Sequence, residues 1–129
     1  MEKITAIIPT FNEEHNIAAA IDSVSWADEV IVVDSFSRDK TVDIAKEKGV
    51  RLLQREYENS ASQKNWTIPQ ATHSWIFLLD ADERVSDKLK LEINELLSKP
   101  DLKDAYWIRR SNYFMNKKVR FSGWQGDKV

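Results

Sequence analysis

Three short, largely apolar runs, Ile4 to Ile8, Val30 to Val33 and Trp75 to Leu79, most constrain what this chain can fold into. They are rich in branched and aromatic residues. Runs of that length and composition read as strands buried on both faces, the pattern of a parallel sheet covered by helices. Val50 to Leu53 is a weaker fourth strand candidate. Between the runs the apolar spacing turns helical. Ile17, Ile21 and Val24 recur at intervals of four and three after Asn12, and Glu13 and Glu14 stand where a helix N-terminus favours negative charge. A helix is therefore expected from about Glu13 to Ser25.

A second helix, Thr41 to Lys48, ends before Gly49, which suits the left-handed residue beyond a helix end. Ser60 to Ala71 is expected to be a third, with Pro69 disturbing its end. Ser86 can cap a fourth, whose buried stripe is Leu89, Ile93 and Leu96 or Leu97 before Pro100. The stretch from Ala105 to Val119 mixes aromatic and β-branched residues with cations and reads as antiparallel or edge strands. Alternation of strands and helices, with right-handed crossovers, gives an α/β fold with a mostly parallel central sheet flanked by helices.

A length of 129 residues fits one domain. Apolar residues at 42% and charged residues at 31% allow an ordinary packed core. The formal net charge of -2 argues against nucleic acid as a partner, because neutralising phosphates demands a basic surplus. With no cysteine there is neither a disulfide framework nor a thiolate metal site, which fits a reducing compartment. Met1-Glu2-Lys3 lacks the features of a secretory signal, and nothing approaches the roughly 20 apolar residues that span a bilayer. A cytoplasmic location is expected, with any membrane contact peripheral, at the inner face of the cytoplasmic membrane.

In open parallel sheets ligands bind beyond the carboxyl ends of the strands, where the strand order reverses. Here those ends read Pro9-Thr10-Phe11-Asn12-Glu13, Asp34-Ser35-Phe36-Ser37 and Asp80-Ala81-Asp82-Glu83. In extended backbone Asp80 and Asp82 would point to the same side and aim two carboxylates at one point, a partial oxygen shell for Mg²⁺ or Mn²⁺ that substrate phosphates would complete. The plainer alternative is a solvated loop. With 3 glycines and neither a GxGxxG nor a GxxxxGK[ST] pattern, a metal is the more plausible partner for a diphosphate. Asp34 can accept a hydrogen bond from a base imide or ribose hydroxyl, and is equally good turn chemistry. Phe11 can stack on a base or pack in the core; Thr10 and Asn12 can cap a helix. His15 and His73 lack ligand spacing and receive no role.

Together the three ordered motifs, Pro9 to Glu14, Val33 to Thr41 and Leu79 to Glu83, resemble those of family 2 inverting glycosyltransferases with the GT-A fold. The closing Phe121 to Asp127 is similar to a stretch in small bacterial enzymes of the lipopolysaccharide-core type. The resemblance implies that residues 1–129 form a single GT-A-like, Rossmann-like nucleotide-sugar-binding half, lacking the C-terminal acceptor portion. It implies transfer from a nucleoside-diphosphate sugar, UDP-sugar favoured, to a glycan or glycolipid in cell-envelope polysaccharide or lipopolysaccharide synthesis. By position, Thr10, Phe11, Glu13, Asp34, Lys64 and Asn65 would contact the nucleotide sugar, Asp82 would bind Mg²⁺ or Mn²⁺, and Asp80 would serve both ligands. Asp127 would be the base that accepts the acceptor hydroxyl's proton, although the sequence has Gln125-Gly126 where such enzymes tend to have Tyr-Pro. Trp124 is a candidate sugar contact, and Lys117 and Lys118 suit an anionic lipid surface or an exposed strand. A homodimer is a further option. The alternative reading is a truncated relative that binds nucleotide and transfers nothing; a receiver-like domain fits less well, because Pro9-Thr10 offers no acidic pair.

Overall fold

The computed structural model describes residues 2–99 and the backbone of residues 105–107 and 113–116. Four parallel strands form the body of the sheet: β1 (Ile4–Thr10), β2 (Glu29–Asp34), β3 (Arg51–Gln54) and β4 (Trp75–Leu78). Two further strands, β5 (Ala105–Trp107) and β6 (Tyr113–Asn116), pair antiparallel, giving the order β3-β2-β1-β4-β6-β5. The helices are α1 (Ile17–Ser23), α2 (Thr41–Glu47), α3 (Ser60–Thr67) and α4 (Asp87–Leu97). The expected α/β architecture, with an antiparallel extension, is what the chain adopts.

Burial on both faces explains why the strand sequences are apolar at consecutive positions. Ile4, Ala6 and Ile8 of β1, with Val32, Phe77 and Leu79, pack against Ile17, Ala20 and Ile21 of α1, Ala45 of α2 and Ile93 and Leu97 of α4. Ile7, Ile31, Val33, Ile76 and Leu78 face the other way, onto Ile68 and Ala71 beyond α3. Each fully buried Ile or Leu contributes about 1.5–3 kcal/mol relative to exposure. Trp26 closes the first face, its ring 6.1 Å from that of Phe77 and tilted by 57°.

Two helices depart from expectation at their ends. Only residues 17–23 of the first are helical, because the amides of Glu13 and Glu14 donate to Thr41 Oγ1 (2.9 Å) and Asp39 Oδ2 (3.2 Å). The third stops at Thr67, and Ile68–Gln70 tightens into a 3₁₀ turn containing Pro69, which cannot donate to the α-helical ladder. Gly49 has φ +72° just past α2, and Ser86 Oγ accepts from Leu89 N–H at 3.1 Å as the cap of α4.

At the amino end of the sheet, Glu29 ties β1, β2, β3 and the turn before β4 together. Its carboxylate accepts from Thr5 Oγ1 (2.9 Å), Thr72 N–H (2.8 Å), Thr72 Oγ1 (2.8 Å) and Arg51 Nη1 (3.3 Å). Burial would raise its pKa, but the hydrogen bonds from Thr72, Thr5 and Arg51 together outweigh it and hold the carboxyl below its ordinary value. A depressed carboxyl contributes stability that is present above its unfolded pKa and lost as the pH falls through the folded value. Glu29→Gln should therefore cost about 2 kcal/mol at neutral pH, and the gap from wild type should narrow in acid. Urea melts at pH 7 and pH 3.5 check this; a gap that does not change with pH counts against it.

Candidate functional site

The strand order places β1 at the reversal point: β1, β2 and β3 run outward in one direction, and β4 joins β1 on its other side. Register brings Thr10 opposite Asp34 and Ile7 opposite Leu78. Pairing continues past the strand ends, with Ser35 N–H donating to Thr10 O (2.9 Å), Arg55 N–H to Asp34 O (3.0 Å) and Leu79 N–H to Ile7 O (3.0 Å). Over these ends opens a cleft of about 200 Å³ lined by Pro9, Thr10 and Phe11 from β1, Ser35 after β2, Tyr57, Ser60 and Gln63 before and on α3, and Asp80 after β4. The crevice lies where open parallel sheets bind ligands.

Of the residues singled out from sequence, the fold brings Thr10, Phe11 and Asp80 into one lining. Phe11 is 54% exposed, so its ring lies at the surface rather than in the core. Asp34 is fully buried instead, and its carboxylate accepts from Ser37 N–H (2.8 Å), Ser37 Oγ and Gln54 Nε2 (3.3 Å), the bonding of a turn residue. Glu13 Oε1 accepts from Asn16 Nδ2 at 2.9 Å. Lys64 is buried and Asn65 exposed on α3. Asp127, Trp124, Lys117 and Lys118 lie outside the described residues.

The Asp80-Ala81-Asp82 segment requires a correction. β4 ends at Leu78 and residues 81–82 form a turn, so strand alternation does not orient the two carboxylates. The turn does: Glu83 N–H donates to Asp80 O (2.9 Å), Asp80 N–H donates to Glu83 Oε1 (3.0 Å), and Ala81 is buried between two exposed aspartates. Arg84 fastens this turn to the start of α1 by donating to Ala81 O and Asn16 Oδ1, both at 3.0 Å. Among the described residues no three His, Asp or Glu side chains gather as a ready metal cage.

A clamp between the loops after β1 and β2 went unseen in the sequence. Asn12 N–H donates to Ser37 Oγ (2.8 Å), and Arg38 N–H returns to Asn12 Oδ1 (2.8 Å). Asp39 accepts from the amides of Thr41 (2.9 Å) and Glu14 and from the Thr41 hydroxyl. Desolvation works to raise its pKa, and these bonds bring it below the ordinary value. Asn12 and Phe36 sit at φ +50° and +60°. Asn tolerates that region, whereas Phe carries a steric penalty there.

The family model for glycosyl transferase family 2 matches residues 5–125. The chain belongs to glycosyl transferase family 2. An uncharacterized glycosyltransferase of Rickettsia felis is 42% identical over 99 residues, covering 76% of this chain and 35% of that protein. The lipopolysaccharide core biosynthesis glycosyltransferase LpsC of Rhizobium meliloti is 29% identical over 117 residues, covering 87% of this chain and 43% of the relative. The chain thus spans less than half the length of both. Among solved structures, glucosyl-3-phosphoglycerate synthase from Mycobacterium tuberculosis, in complex with Mn²⁺, UDP and glucosyl-3-phosphoglycerate, superposes with TM-score 0.68 at 18% identity, covering 92% of this chain and 58% of that one. That likeness establishes a shared GT-A-like fold.

The strained backbone at Phe36 yields a test. Phe36→Gly should be more stable than Phe36→Ala by about 1 kcal/mol, since both lose the half-exposed ring and only glycine escapes the left-handed penalty. Equal chemical-denaturation midpoints for the two variants would show that the loop relaxes out of that conformation.

Proposed function

We propose that this family 2 glycosyltransferase domain binds a nucleoside-diphosphate sugar, UDP-sugar by preference, in the cleft over β1, β2 and β4. The whole protein would then transfer the sugar with inversion to a glycan or glycolipid acceptor in cell-envelope polysaccharide or lipopolysaccharide synthesis. The observation that carries this reading is the convergence of Thr10 and Phe11, Ser35 and Asp80 from three strand ends on one cleft. Thr10, Phe11 and Asp80 are its nucleoside contacts. Glu13 and Asp34 hold the loops that carry them, and Lys64 and Asn65 on α3 are assigned to the same ligand.

The donor set at the β4 end fits Mg²⁺ or Mn²⁺ in part. Two exposed carboxylates, Asp80 and Asp82, supply hard oxygen donors short of a closed cage, which suits a cation that takes its other ligands from water and a diphosphate. When bound, such an ion offsets the charge that develops on a departing diphosphate. Asp82 would hold it, and Asp80 would serve both the ion and the ribose or sugar. Asp127 remains the proposed base for the acceptor hydroxyl.

A second reading is a domain that binds nucleotide and by itself transfers nothing. No helix among the described residues is long and apolar enough to cross a membrane; a glycolipid acceptor would be met at the membrane surface.

Calorimetric titration with UDP, with and without Mn²⁺, tests the site. Mn²⁺ should tighten UDP binding about tenfold, and Asp82→Ala should remove that dependence while leaving metal-free binding in place. Equal manganese dependence in the variant would refute the assignment of Asp82. Transfer or hydrolysis of a UDP-sugar donor would distinguish the enzyme from the binding-only relative.

A further inference from the structure

Asparagine is among the best residues for starting a helix, because its side chain can accept from the first free amides. Asn16 stands at that position before α1 and gives its own helix no side-chain bond. Its Nδ2 donates back to Glu13 Oε1 at 2.9 Å, and its Oδ1 accepts from Arg84 Nη2 at 3.0 Å, a residue 68 positions away. Where a local preference is given up, a tertiary duty commonly accounts for it. The duty of Asn16 is to hold Arg84.

Arg84 in turn holds the segment that carries two exposed carboxylates. Its Nη1 donates to Ala81 O (3.0 Å) and Glu83 O (2.7 Å), the carbonyls on either side of Asp82. Ala81 is buried, and Glu83 Oε1 accepts from Asp80 N–H at 3.0 Å. Asp82 is thus gripped through the backbone on both sides while the residue itself stays exposed. The three acceptors of the guanidinium are neutral oxygens from two separate loops. A planar fork with fixed donor directions can span them, whereas the single nitrogen of a lysine cannot.

We propose that Asn16 and Arg84 are positioning residues for the cation site, fixing the Asp80-Ala81-Asp82 turn against the loop after β1 so that Asp82 is in place before a cation arrives. This rests on the nucleotide-sugar and cation reading of the cleft and deepens it. Neither side chain touches the ligand; both act through Asp82. Two carboxylates short of a closed cage hold an ion weakly if the turn that carries them must be ordered at the moment of binding. A turn already tied down avoids that loss, and groups that orient a metal's ligands commonly matter to its affinity nearly as much as the ligands do. The chain Glu13–Asn16–Arg84 also joins the cation turn to the loop that carries Phe11, so that cation and nucleotide binding support one another.

The test is calorimetric titration of UDP, with and without Mn²⁺, into wild type, Arg84→Lys, Asn16→Ala and the double variant, each checked for folding by its thermal melt. Amide hydrogen exchange at Asp80 and Glu83 is followed in the same proteins without metal. Arg84→Lys keeps the charge and loses the fork; Asn16→Ala leaves the arginine in place and removes its anchor. Each should cut the tightening by Mn²⁺ from about tenfold to about threefold or less, with metal-free UDP binding little changed. The double variant should be no worse than either single one, because both break the same link. Exchange at Asp80 and Glu83 should quicken in Asn16→Ala, since the turn loosens. A purely structural contribution would lower the melting temperature and leave the manganese ratio as in wild type. The two substitutions lie on different elements, so either one tests the role where the other fails to fold. Full tightening by Mn²⁺ in the folded variants overturns the positioning role while leaving the cation site intact, and unchanged exchange at both amides in Asn16→Ala overturns the link whether or not metal binds. A wild type whose UDP affinity ignores Mn²⁺ overturns the cation reading itself, and this inference with it.

Discussion

Parallel pairing of β1 with β2 on one side and β4 on the other is the constraint from which the site follows. A strand that pairs in parallel with both neighbours leaves three carboxyl ends at one edge of the sheet, and the change of direction at β1 keeps crossover helices from covering that edge. The strands are held in that register by two-sided burial, since a shift of one residue would exchange the faces packed on α1, α2 and α4 for those packed beyond α3. The cleft is thus a by-product of core packing. What is specific to this chain is the set of side chains at the strand ends.

Those side chains are held by loops that brace one another. The Asn12–Ser37–Arg38 exchange and the bonds that the amides of Glu13 and Glu14 donate to Thr41 and Asp39 join the β1 and β2 ends. They shorten α1 and support the positive φ of Phe36. Strain maintained by neighbouring bonds is common where a loop must present groups in a fixed geometry. On the other side of the cleft, Arg84 ties the Asp80–Glu83 turn to Asn16 at the start of α1. Both walls are therefore referenced to the same short helix.

Much of this was legible in the sequence, for physical reasons. Apolar strands ending abruptly in acids and hydroxyls announced both the sheet and the edge on which the cleft opens, and the pattern around Ser86 and Gly49 marked helix ends correctly. The orientation of Asp80 and Asp82 was not legible, because the strand stops at Leu78 and a turn closed by Glu83 takes over. The Glu13 start of α1 failed because its first amides bond to side chains more than two dozen residues away. Gln63 sits in the polar run Ser60-Ala61-Ser62-Gln63-Lys64-Asn65, where no periodicity separates a buried amide from a solvated one. Only packing against β2 reveals it. Asp34 carried two meanings in sequence, nucleotide contact and turn residue, and its bonds to Ser37 and Gln54 are those of the turn residue.

The central claim is that the three strand ends form one nucleotide site, and amide chemical-shift mapping with UDP and Mg²⁺ tests it most directly. The account predicts that Thr10, Phe11, Ser35, Gln63 and Asp80, drawn from separate parts of the sequence, shift together with one saturation curve. Perturbations confined to the opposite edge around Glu29 and Thr72, or strand ends that respond with unrelated affinities, would contradict it.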